Sequence, residues 1–363
     1  MRISMKKYPF KNILSLLSLA LLLGFTVSSC TEDTDGRPQI GPGDPKSAGI
    51  KPDSAAGGTV LTLTGTGLGD MRSIVFEKNN VPAGFQPTLN TSEALIFRVP
   101  EDAAGGTQNI IFTNSAGAKL SVPFKVLAFP SVASISNYNF TKDSEITIDG
   151  NNLDDVISVT LTGTTDKATI VSKTKKQLVV KMPASSVNSA TLDIVNGTGL
   201  FKTTQEFVNL DKALQVFTEG YGEGFADGSW GDAGAISTAQ FKTGLKSVGK
   251  NYQKGNWHLI NFTNWWPTVP YSADYKYLSV WIKGASEDYS LYITTDASKA
   301  GFGNFADANK LNVKAGVWNY FKVKLSDIDF WSAGKSLQQL GFRIQGPDKQ
   351  DEVFYFDDVI LVK

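Results

Sequence analysis

The chain has 363 residues, 41% hydrophobic and 19% charged, enough for two or three domains with apolar cores and too apolar for a disordered polymer. Its formal charge is zero, but residues 1–29 hold four bases (Arg2, Lys6, Lys7, Lys11) and no acid, which leaves 31 basic against 35 acidic side chains beyond them. That balance provides no basic field, so no nucleic-acid partner is expected.

Residues 1–29 read as a signal peptide. A basic segment up to Lys11 precedes a 13-residue apolar run, residues 13–25, and then small residues, a pattern too short to span a bilayer. The segment ends in Val27-Ser28-Ser29-Cys30, which resembles the lipobox of bacterial lipoproteins. The resemblance implies lipidation at Cys30, the only cysteine in the chain, and attachment to a membrane through acyl chains. Thr31-Glu32-Asp33-Thr34-Asp35 resembles the acidic signal that sends Bacteroidota lipoproteins to the outer face of the outer membrane. Residues 30–47 are read as a flexible tether, because their prolines and glycines are not expected to build a core.

From about Ala48 onward, short runs of Val, Ile, Thr and Phe alternate with Gly, Asn, Asp and Pro, which signals all-β structure. The pattern repeats. Thr62-Leu-Thr-Gly-Thr-Gly-Leu-Gly-Asp70 aligns with Thr147-Ile-Asp-Gly-Asn-Asn-Leu-Asp-Asp155, Leu95-Ile-Phe-Arg-Val-Pro100 with Leu178-Val-Val-Lys-Met-Pro183, and Asn114-Ser-Ala-Gly117 with Asn196-Gly-Thr-Gly199, at offsets of 85, 83 and 82 residues. That period suits a whole small sandwich, so residues 48–127 and 128–210 are read as tandem copies. At these residues the copies resemble IPT/TIG immunoglobulin-like domains, with Gly57-Gly58-Thr59 through Gly67-Leu68 the better match. Gly65 and Gly150 are expected to serve tight turns. The copies lack Trp, His and clustered carboxylates, which favours a spacer role.

Residues 211–363 form a third, aromatic-rich unit that holds all seven tryptophans. Strands are expected at 277–283, 289–295, 318–325, 340–345 and 353–362. In the first, Leu278, Val280 and Ile282 alternate with Tyr277, Ser279 and Trp281, the period of a sandwich strand. The unit reads as a β-jelly-roll sandwich. Phe354-Tyr-Phe-Asp-Asp-Val-Ile-Leu-Val362, with Trp318 and its neighbours upstream, resembles the end of carbohydrate-binding jelly rolls, where Asp357 or Asp358 sometimes helps hold a structural calcium. Calcium takes six or more oxygens and an Asp pair supplies too few, so no cofactor is expected and solvated or capping acids are favoured.

Taken in order, lipobox, acidic run, Ig-like repeats and aromatic sandwich resemble the surface glycan-binding proteins of Bacteroidota polysaccharide-utilisation loci, in particular the type that binds xyloglucan. The resemblance implies a cell-surface lipoprotein on the outer membrane that captures a polysaccharide without cleaving it, beside an outer-membrane glycan transporter complex. In that family three aromatics form a platform, one roughly 35 residues before an adjacent pair; this spacing carries the platform onto Trp230, Trp265 and Trp266. Trp331, in a loop, is a fourth candidate. An indole face suits the C–H face of a pyranose ring independently of any family, and Asn256, Asn264, Asp232, Arg343 and Gln345 are candidate hydroxyl partners. Trp257, in an apolar run, Trp281 and Trp318 are expected in the core, and the single His258 in a structural role. Two alternatives stand beside this reading: a protein-binding adhesin, and a glycoside hydrolase using acids such as Glu223, Asp227 and Asp232, although no catalytic motif surrounds them.

Overall fold

The computed structural model describes residues 40–363; the signal-peptide, acidic-run and Cys30 lipidation expectations lie outside the described residues. The fold is all-β. Among the described residues every regular element is a strand or a short 3-10 turn, and no helix is long and apolar enough to cross a membrane. Three main hydrophobic clusters follow one another along the chain, from Ile50 to Ala128, from Ile135 to Phe207 and from Val216 to Leu361.

The two Ig-like copies fold alike because equivalent residues do equivalent work. In the strand Val60–Thr66, Leu61 and Leu63 point into the core, as Ile146 and Ile148 do in Glu145–Asn151. Gly65 lies so close to the neighbouring strand that a Cβ would sit 2.0 Å from the Lys46 carbonyl oxygen, and at Gly150 the distance to the Ser131 oxygen would be 1.8 Å. Any side chain at either position would separate the strands. The positive φ of the turn falls two residues later, at Gly67 (66°) and Asn152 (56°). The repeated glycine therefore serves close approach, and the turn conformation belongs to its neighbour. Asn114 and Asn196 also match. Each amide oxygen accepts backbone N–H groups of its own turn, and each Nδ2 donates to the chain entering its copy, at the Gly43 carbonyl (2.9 Å) and the Ala128 carbonyl (2.7 Å).

The third unit is a two-layer sandwich. Its inner sheet orders Ala235–Ser237, Ser247–Tyr252, Glu352–Val362, Tyr277–Lys283 and Trp318–Lys324, with Leu214–Phe217 also paired to Glu352–Val362. The outer sheet orders Ala226–Asp227, Trp257–Thr263, Gln339–Gln345, Tyr289–Thr295 and Lys310–Val313. Leu278, Val280 and Ile282 face the outer sheet across a core that includes Ile260, Phe262, Phe342 and Phe354. Part of the reverse face of the inner sheet is covered by the second Ig-like copy. There Trp281 (8% exposed) meets Tyr138 at 5.8 Å and Tyr320 at 4.8 Å between ring centroids, with the Lys242 ammonium 4.7 Å above the indole. Gly244 N–H donates to the Ser136 carbonyl, and Lys322 pairs with Glu206 at 2.6 Å. Trp281 thus fills a junction between units; Trp318 is half-buried.

Asp357 and Asp358 are buried near this junction. Asp357 accepts the N–H groups of Lys242 (2.8 Å), Thr243 (3.2 Å) and Asp358 (2.9 Å), and Asp358 accepts the Thr243 hydroxyl (2.7 Å). They are capping acids but not solvated ones. These bonds tie the last strand to the 242–243 bend.

Candidate functional site

Antiparallel pairing sets Trp230, Leu259, Arg343, Tyr292 and Lys310 in a row across the outer sheet: Trp230 bridges to Leu259, Leu259 pairs with Arg343, Arg343 with Tyr292, and Tyr292 with Lys310. The core side chains Ile260, Phe342 and Ile293 occupy alternate positions, so this row faces away from the core. Trp257 stands two residues before Leu259 on the same face. Its exposure, 47%, overturns the expectation of a core role. The apolar run that suggested burial, Leu259 and Ile260, is indeed buried, but Trp257 opens the strand where nothing covers its ring completely.

Arg343 joins the two tryptophans. Its guanidinium carbon lies 4.3 Å from the Trp257 ring centroid, 4.9 Å from Phe305 and 5.9 Å from Trp230. Phe302 packs on Trp230 and Phe305 on Trp257, each at 5.2 Å, and Arg343 donates to the Phe302 carbonyl. Burial presses the guanidinium below its usual pKa. Arg343 sits among aromatic rings, where a cation over several faces holds them by electrostatic attraction.

The segment that carries Trp230 is braced from below. Asp227 accepts Ser229 N–H and O–H and Gly234 N–H. Lys250, fully buried, donates to the Trp230 carbonyl at 2.8 Å and to the Asp232 carbonyl. Burial lowers the Lys250 pKa, and Asp232 and Asp227 oppose that shift. Gly231, at φ 79°, passes over the His258 ring so closely that a Cβ would lie 2.2 Å from it. His258 is 7% exposed and accepts Gln253 N–H at 3.4 Å, a structural role. The Gly- and Asp-rich stretch is thus a fitted support, with Trp230 (39% exposed) as its outward product.

Trp265 and Trp266 lie beyond the other end of the same strand; Trp257 to Thr263 alone covers about 20 Å at 3.3 Å per residue. Asn264 N–H bonds to Gln338 O and Val269 N–H to Leu337 O. Two consecutive residues just before the strand Gln339–Gln345 are therefore matched by residues five apart, and Trp265, Trp266, Pro267 and Thr268 form the excursion between them. Asn264 clasps its base, accepting Thr268 N–H (3.2 Å) and donating to Glu223 O (3.3 Å). At 3% exposure it is a support, not a surface partner. The rings themselves are 59% and 85% exposed, and neither packs on another aromatic ring among the described residues. Trp230 packs with Phe302 and lies near Arg343, not with this pair. Trp331 stands apart from both groups, with Tyr271 and Tyr275. Asn256 is exposed beside Trp257; the side chain of Gln345 lies outside the described residues.

Asp232 and Asp227 are engaged in hydrogen bonds, whereas glycoside cleavage needs one carboxyl held protonated. Asp232 accepts Asn251 Nδ2 (2.7 Å) and Gln253 Nε2 (2.9 Å), and these bonds hold it below the usual carboxylate range. Asp227 is engaged as described. Burial raises Asp357 and Asp358, but both are shut away from the surface.

The sequence profile of the IPT/TIG domain matches residues 130–208, the second Ig-like copy. Among curated proteins no sequence matches this chain. The architecture is similar to solved surface glycan-binding proteins. The protein PbSGBP-B from Prevotella bryantii is 16% identical with a TM-score of 0.49, over 89% of this chain and 100% of that one. SGBP-B from a complex xyloglucan utilization locus in Bacteroides uniformis is 16% identical with a TM-score of 0.36, over 88% and 99%. SGBP-B of the Bacteroides ovatus mixed-linkage glucan utilization locus, solved with a mixed-linkage heptasaccharide, is 14% identical with a TM-score of 0.31, over 88% and 76%.

Proposed function

We propose that the protein is a non-catalytic, polysaccharide-binding lipoprotein of the cell surface, with xyloglucan or a related β-glucan as its ligand. The observation that carries this reading is that one sheet of the last unit is partly covered by a neighbouring domain, while the other carries tryptophans that stay exposed although rigid strands and clasped loops hold them. Exposed indoles held in place lose little freedom on binding and offer apolar faces to the C–H faces of sugars. A ring that covers on the order of 50 Å² of sugar contributes about 1 kcal/mol, so one ring gives weak binding and several are required. Trp230, Trp265 and Trp266 are the proposed contacts, joined by Trp257; Trp331 is a further contact.

In this proposal Cys30 carries the lipid anchor on the outer face of the outer membrane. The tether and the Ig-like copies hold the binding sheet away from the membrane, where an outer-membrane glycan transporter complex receives the captured polymer. Affinity electrophoresis tests the reading. Migration is expected to slow in gels containing xyloglucan or mixed-linkage β-glucan, with no reducing sugar released on incubation. Unchanged migration across β-glucans, mannans and xylans would favour the adhesin, and sugar release would favour the hydrolase.

A further inference from the structure

The cleft around Trp331 differs in kind from the exposed tryptophans. It encloses about 240 Å³ and is lined by Tyr271, Ser272, Tyr275, Lys276, Lys324 and Trp331, among others. At about 30 Å³ per water, that is the space of about eight waters, enough for one sugar ring. Trp331 is fixed: its indole N–H donates to the Lys335 carbonyl at 3.0 Å, and it packs against the domain core. Tyr275 lies nearly parallel to it (15°, 6.0 Å between centroids), and Tyr271 stands perpendicular (89°, 5.8 Å) with 41% of its surface exposed. The cleft therefore has an aromatic floor and an aromatic wall.

Two lysines, Lys276 and Lys324, line it, with Asp327 near Lys324 and Asp274 near Tyr275. Lys276 donates one N–H to the Ala273 carbonyl at 2.5 Å, which steadies the ammonium and leaves it two further donors. Lys324 is only loosely paired, 3.9 Å from Asp327. An ammonium pairs with a carboxylate more strongly than with a neutral hydroxyl, because the hydrogen bond is charge-assisted.

We infer that this cleft is a separate pocket for a single carboxylate-bearing sugar, a uronic acid at a branch or chain end. The inference rests on the glycan-binding reading for the polymer that presents such a unit, but the pocket's chemistry stands without it. Because the lysines are solvent-exposed, the preference over a neutral sugar is expected to be about fivefold, the size of an exposed ion pair.

The test is a titration of the protein with methyl glucuronide and with methyl glucoside, followed by the NMR resonance of the Trp331 indole N–H, which Trp331→Phe identifies by its loss. The glucuronide is expected to shift that resonance at about one-fifth of the concentration the glucoside requires, and Lys276→Gln with Lys324→Gln to abolish the difference. Trp265→Ala with Trp266→Ala is expected to leave the response unchanged. A response in a protein that binds no polymer would uphold the pocket while the platform reading failed. Silence of the Trp331 resonance with both sugars, or equal affinity for the two, would overturn the inference.

Discussion

The two sheets of the last unit use tryptophan in opposite ways. On the inner sheet, Trp281 faces outward from its own core, yet Tyr138, Tyr320 and Lys242 bring it to 8% exposure. On the outer sheet, Trp230 and Trp257 face outward and remain open, with Arg343 and two phenylalanines bracing their edges. Strand alternation assigns each ring to a face. What covers that face, a neighbouring domain or only local support, decides between cohesion and recognition. The same logic separates the acids: Asp232 is hydrogen-bonded near the surface, whereas Asp357 and Asp358 are sealed at the junction.

The contrast can be broken from the buried side first. Trp281→Ala removes a large ring from a packed junction and is expected to cost about 3–5 kcal/mol of stability, read by denaturant unfolding, while leaving glycan affinity in the surviving folded protein unchanged. Arg343→Ala tests the open side. Losing a cation shared among aromatic rings is expected to cost about 1 kcal/mol, to shift tryptophan fluorescence to longer wavelength as Trp230 and Trp257 loosen, and to weaken glycan binding several-fold. If stability falls and binding does not, the Trp230–Trp257 end takes no part in recognition.

The smallest effect is a pH dependence at the junction. Burial, with the neighbouring Asp358 charge, pushes Asp357 up to about 8, and burial pushes Asp358 up to about 6. Carboxyls raised in this way bind more protons folded than unfolded, so their contribution is full below about pH 4 and is lost progressively from there up to about 6 for Asp358 and about 8 for Asp357. The thermal midpoint is therefore expected to fall across that window. Asp358→Asn, which keeps a residue tolerant of the observed φ of 49°, should flatten the slope by on the order of 1 kcal/mol. An equal slope in the variant would place its origin elsewhere.

Much of this was legible in the sequence. The alternation of Leu278, Val280 and Ile282 with Tyr277, Ser279 and Trp281 gives a strand and its core face directly. The 82- to 85-residue offsets identify residues that the fold uses alike, Gly65 with Gly150 and Asn114 with Asn196. What the sequence concealed were long-range partners. The run after Trp257 is buried, and nothing local reveals that Trp257 itself begins the strand in the open. Arg343 meets Trp230 only because the intervening Trp257–Thr263 strand pairs with both. Asn264 looked available because its clasp on Thr268 and Glu223 exists only once the loop closes. Lys250, in a run of β-strand character, gave no sign that its ammonium would hold up the Trp230 carbonyl from inside the sandwich.

The central claim is that the clasped Trp265–Trp266 excursion binds glycan and does not hold the fold together. Calorimetric titration of the wild-type protein and of Trp265→Ala/Trp266→Ala with xyloglucan oligosaccharides, alongside their thermal unfolding, tests it most directly. The account predicts at least about a thirtyfold loss of affinity, about 2 kcal/mol, with the unfolding midpoint unchanged because both rings are largely exposed. Undiminished affinity in a double variant that folds normally would contradict it.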